Sequence, residues 1–165
     1  MCACLKERWE KPGSRYHVMK EMFACLHKLE VLSADWPKKV RHYEKVLFGG
    51  GRKQYEALHQ YRMPDKIAEQ LLSYFIYVYF AGAVYDGMPY SKVKLAVIST
   101  MLIEDMVCAK AAEKGQLSFE AIADAAHSYA REVEHSDLNL QRLSIMFRHR
   151  KCFHIGRLCG ALLEW

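Results

Sequence analysis

The nine residues Arg131-Glu132-Val133-Glu134-His135-Ser136-Asp137-Leu138-Asn139 gather acids, a base and an amide at the predicted junction of two helices. On a regular helix Arg131 and His135 stand four residues apart, and Glu132 and His135 three apart, so each pair can meet on one surface and hydrogen-bond. Such a cluster suits a ligand or partner pocket with His135 as donor or general base, because imidazole changes charge near neutral pH. The same residues suit a plainer task, in which Ser136 or Asp137 caps the next helix and the charges form local ion pairs. Taken by spacing alone, the plainer task is the better reading.

Other chemistry-bearing sets are weaker. Gly49-Gly50-Gly51-Arg52 lacks the preceding strand and the glycine spacing of a phosphate- or dinucleotide-binding loop, so it reads as a helix stop. Cys2, Cys4, Cys152, His154 and Cys159 could be assembled on paper into a zinc site, but neither cysteine pair has the two-residue gap that sets two thiolates on one turn, and no metal is expected. Cys25 and Cys108 fall on apolar helix faces, where a buried, inert thiol is the default. The net charge of +5 is spread over many segments, with only Arg148, Arg150 and Lys151 grouped among His149 and His154. With most tyrosines of the fourth helix placed for packing, nucleic acid is not an expected partner.

The elements that position these residues read as helices throughout. Val18, Met19, Met22, Phe23, Leu26 and Leu29 recur at three- and four-residue steps and predict a first helix over Ser14 to Leu32. A second starts at Asp35-Trp36-Pro37 and stops at the three glycines; a third, marked by Tyr55, Leu58 and Tyr61, ends before Pro64. The fourth runs from Asp65 toward Val84 and is apolar on nearly every side, the pattern of a helix enclosed by others. Ser91 can cap a fifth that lasts until Gly115, Ser118 a sixth, and Ser136 or Asp137 a seventh. A last short helix holds Ile155, Leu158, Leu162 and Leu163. The expected fold is all-α, a single-domain bundle of about seven or eight helices with the fourth and fifth as a central apolar antiparallel pair; residues 14–147 form its core and 148–165 a tail.

With 165 residues, 52% of them hydrophobic and 26% charged, the chain can bury one core and has no room for two ordinary domains. Its longest apolar stretch, Leu71 to Val84, is 14 residues long, against roughly 20 for a bilayer span. The start MCACLKERWEKPGSR offers no apolar signal segment. Scattered cysteines and the lack of a span or signal predict a cytoplasmic protein with reduced thiols.

Taken with what precedes it, the Arg131–Leu140 box resembles the C-terminal half of the flagellin lysine-N-methylase family. Three further segments carry the likeness: Leu29-Glu30 with Trp36-Pro37, Glu69-Gln70-Leu71-Leu72-Ser73-Tyr74-Phe75-Ile76-Tyr77, and Tyr90-Ser91-Lys92-Val93-Lys94-Leu95-Ala96. Together they span about residues 20–145. The resemblance implies a bacterial protein-lysine methylation system with flagellin as partner and S-adenosylmethionine as methyl donor. It also implies Arg131, Glu132, Glu134, His135 and Asn139 as substrate- or donor-binding candidates. The family's cysteine-rich segment would precede this region, and Cys2 with Cys4 cannot replace it, so contacts are expected here rather than a complete active site. The alternative is a non-catalytic helical module that binds a protein partner or forms a homo-oligomer.

Overall fold

A computed structural model describes residues 14–163, and among them the chain forms nine α-helices and no strand. They are α1 (Arg15–Leu26), α2 (Trp36–Phe48), α3 (Gly51–Leu58), α4 (Asp65–Phe80), α5 (Ala83–Asp86), α6 (Pro89–Lys114), α7 (Phe119–Tyr129), α8 (Asp137–His149) and α9 (Ile155–Leu163). Short 3-10 turns at His59–Tyr61 and Lys151–Phe153 and a π-helical turn at Ala130–Glu134 complete the path.

The axis of the fold is α6. Pro89 opens it at a position where a missing N–H costs nothing, and Gly115, at φ +70°, closes it in the left-handed conformation that a side chain would strain. Between them, nearly every residue from Lys94 to Ala111 is buried. Seven helices, α1 to α5, α7 and α8, and the 3-10 turn at His59–Tyr61 pack against it, and one continuous apolar cluster runs from Val18 through Met101 and Tyr129 to Ala161. The stretch set apart as a tail contributes Phe153, Leu158 and Ala161 to that cluster, and α9 packs on α1. No helix of the described residues is long and apolar enough to cross a membrane.

Several boundaries differ from the sequence reading. The first helix ends at Leu26, and the chain from His27 to Asp35 is a loop and turn. Pro89, not Ser91, is the first residue of α6. The larger correction concerns α4. It packs along α6, as an antiparallel partner joined by a short connection should, but it is not enclosed. Of its residues only Phe75 and Tyr79 are buried, while Tyr74, Ile76, Tyr77, Val78 and Phe80 are exposed, and Val84 and Tyr85 of α5 stand almost fully in solvent at 85% and 93%. Apolar residues all around a helix can mean enclosure, or an inner face plus an outer one that has no partner within the chain; α4 is the second case.

Candidate functional site

The polar box lies where α7 gives way to α8. Its five residues Ala130 to Glu134 form a π turn, in which His135 N–H donates to Ala130 O at 3.0 Å, five residues back. Turns of this kind insert one residue into a helix and recur at functional sites. Ser136 then caps α8, its hydroxyl accepting from Asn139 N–H at 3.2 Å.

The turn sorts the five candidate residues into two sets. Glu132 is 1% exposed, and its Oε2 accepts from Leu32 N–H at 3.1 Å and Ser33 N–H at 3.2 Å. Asn139, fully buried, accepts from Glu30 N–H at 2.7 Å and donates through Nδ2 to Glu30 O at 3.0 Å and Glu132 O at 2.8 Å. These two side chains pin the loop after α1 onto the start of α8. Arg131 and His135 point outward, and half-buried Glu134 accepts a hydrogen bond from the Tyr74 hydroxyl of α4. The pairings expected on a regular helix do not form. His135 hydrogen-bonds to neither Arg131 nor Glu132 among the described contacts, and the Arg131 Nε to Glu132 Oε1 distance is 4.0 Å. The extra residue of the π turn rotates Glu132 into the interior and leaves His135 in solvent.

Beside this junction a cleft of about 450 Å³ opens between the α4–α6 hairpin and α8. Tyr79, Leu95, Leu140 and Ile145 make its apolar walls, and Asp137, two residues on from His135, lies at its edge. Beneath it, buried hydroxyls form a chain: Ser99 donates to Leu95 O at 2.6 Å, Ser99 and Tyr129 share a hydrogen bond at 2.5 Å, and Tyr79 lies next to Tyr129. Burial pushes the Tyr129 phenol up to about 12. It raises Tyr79 as well, with Tyr129 adding to the effect. Both remain neutral hydroxyls at physiological pH. The lining is mixed in character, since Lys92 and Arg148 share it with Asp86 and Asp137 around the apolar walls.

Two carboxylates line the cleft, Asp86 and Asp137. Asp86 is committed on both oxygens, to Lys92 Nζ at 2.7 Å and to Met88 N–H at 2.9 Å, and the Arg148 guanidinium rests on the Met88 sulfur. No group of three His, Cys, Asp or Glu side chains suited to a metal converges among the described residues. Cys2 and Cys4 lie outside those residues.

A second polar centre escaped the sequence reading. Arg15, 2% exposed, donates to Glu104 Oε2 at 2.9 Å and to Asp105 Oδ1 at 3.0 Å; the Tyr55 hydroxyl donates to Asp105 Oδ2 at 2.8 Å, and His59 Nε2 stands 3.7 Å from Asp105. Burial works against the Arg15 charge, but Asp105, Tyr55 and Glu104 outweigh it and raise the guanidinium above its ordinary range. Burial also raises the Glu104 carboxyl, against the pull of Arg15. The signal was present in the sequence: two adjacent acids inside the apolar run from Leu95 to Ala109 require a buried counter-charge. This centre ties α1 and α3 to α6, and none of its side chains lines the cleft beside α8.

A family model described as the FliB lysine N-methylase C-terminal domain matches residues 5–161. No curated protein and no solved structure matches the chain.

Proposed function

Because the chain belongs to the FliB lysine N-methylase C-terminal domain family, we propose that it works in protein-lysine N-methylation as the helical part that grips the substrate. In this reading flagellin is the substrate, S-adenosylmethionine the methyl donor, and the cytoplasm the place of reaction. The observation that supports the reading is the division of labour in the Arg131–Asn139 box. Glu132 and Asn139 fix the backbone from within, which leaves Arg131, Glu134 and His135 displayed on a rigid rim beside the cleft edged by Asp137. A rim held from behind keeps its geometry while it binds, which lowers the ordering cost of association. Arg131 and His135 contact the substrate backbone or its acidic neighbours, and the target lysine enters the cleft toward Asp137.

The test is transfer of labelled methyl groups from S-adenosylmethionine to flagellin, with the chain supplied with any separate cysteine-rich partner the reaction needs. Changing Arg131, His135 and Asp137 together to alanine, alanine and asparagine is expected to lower transfer by about tenfold or more at unchanged melting temperature. Full activity in that variant rejects the proposal.

A second reading, a non-catalytic protein-binding or oligomerisation module, is favoured by the outer face of α4 and α5. Tyr77, Val84 and Tyr85 are each at least 85% exposed and adjoin half-exposed Tyr74, Val78 and Phe80. Apolar patches of this kind mark contact surfaces. The two readings are compatible, since a substrate-gripping domain must also dock onto its catalytic partner.

A further inference from the structure

On another face of the molecule, a groove of about 700 Å³ runs between α1 and the segment from Arg150 to Arg157. Four cationic side chains line it: Lys20 from α1, Arg150 at the end of α8, Lys151 from the 3-10 turn, and Arg157 from α9. His17 adds an imidazole. Among the described residues one acid lines it, Glu21, which pairs with Arg150 at 3.1 Å; that pair cancels and the remaining described lining is positive. The groove also passes the start of α1, whose first turn carries no acidic side chain and whose N-cap Ser14 makes no side-chain capping bond. Lys20 and Lys151 are exposed, and Lys20 Nζ stands 5.8 Å from the centre of the Tyr16 ring.

We propose that this groove binds an acidic peptide segment of a protein partner. Charge complementarity selects an anion, and a volume of about 700 Å³ suits several residues of a peptide rather than one small ion. Single-stranded nucleic acid is disfavoured because its proteins stack bases on aromatic side chains, and no Phe, Tyr or Trp lines this groove among the described residues. The inference stands on the groove's own lining and does not depend on the methylation reading.

Fluorescence anisotropy tests it, with labelled probes added to the whole chain: an Asp/Glu-rich peptide, a Ser/Gly-rich peptide of equal length, and an oligo-deoxythymidine. The acidic peptide is expected to bind at least about tenfold more tightly than the neutral one, and to weaken as sodium chloride rises from about 0.05 to about 0.5 M. The double charge reversal K20E/K151E is expected to abolish that preference with an unchanged melting temperature, because both side chains are exposed. Equal affinity for the two peptides, or a preference that survives K20E/K151E, overturns the proposal. Tighter binding of the oligonucleotide than of the acidic peptide overturns it in favour of a nucleic-acid surface. Flagellin methylation is read separately, so failure of either idea leaves the other standing.

Discussion

Asn139 holds Glu30 by both of its backbone groups, accepting from its N–H at 2.7 Å and donating to its carbonyl at 3.0 Å across 109 residues of sequence. The amide therefore serves as a peptide bond would in a ladder, and joins the loop after α1 to the first turn of α8.

Replacing it tests how far the box is architecture. Asn139→Ala removes three hydrogen bonds, one buried and two partly buried, so a loss of about 3 kcal/mol is expected in urea unfolding. His135→Ala, at an exposed position, is expected to change stability by less than about 0.5 kcal/mol. Equal losses in the two variants would contradict the division between inner and outer residues.

The buried centre around Arg15 makes a prediction about pH. Burial holds the Glu104 carboxyl above its ordinary value despite Arg15. A raised acid binds its proton more tightly when folded, so its contribution to stability is full at pH below the unfolded carboxyl range and fades as the pH climbs through the folded value. Glu104→Gln removes that slope. The melting temperature of the native chain should therefore fall relative to that of Glu104→Gln between about pH 4 and pH 7; a difference that stays constant or widens the other way would refute the assignment.

Arg15→Met is the harsher test of the same centre. It leaves Asp105 and Glu104 buried without their guanidinium, and a cost of about 4 kcal/mol is expected. A near-neutral result would mean that both acids can be accommodated uncharged.

Thiol labelling should follow exposure and acidity. Cys159 is exposed, while burial raises the thiols of Cys25 and Cys108 and pushes half-buried Cys152 up to about 11. Alkylation mapped by mass spectrometry should modify Cys159 before these three. Faster labelling of Cys108 would show that α6 is open to solvent.

If the outer face of α4 and α5 is a contact surface, its loss should show in self-association or partner capture. Tyr77→Ser with Tyr85→Ser is expected to leave the melting temperature within about 2 °C, because both rings are in solvent, and to reduce association measured by sedimentation. A chain that is strictly monomeric before and after the change, and loses no partner, gives this face no role in contact.

Much of the helical layout was legible because its punctuation is local chemistry. Ser118 and Ser136 cap where their hydroxyls suggest, Gly115 ends α6, and Pro64 terminates the segment before it. What was not legible depends on neighbours distant in sequence. Nothing near Arg15 reveals that its partners lie 89 and 90 residues away, although the pair Glu104-Asp105 signalled that some cation was needed. The apolar surround of α4 records affinity for other apolar groups without saying whether they belong to the same chain. The candidate box was found by its density of polar residues, but its three- and four-residue spacings misled, because one inserted residue changes which side chains share a face.

That inserted residue also fixes how the chain can vary. Each residue of an α-helix turns the chain by about 100°, so a single deletion between Ala130 and Glu134 would restore regular winding and turn the side chains around it away from their partners. Glu132 would leave the Leu32 and Ser33 amides, and the shortened link to Ser136 would pull Asn139 from Glu30. The junction should therefore accept changes of residue type on its outer side far more readily than any change of length, and a library of one-residue gaps scanned along residues 119–149 should find its least forgiving positions there.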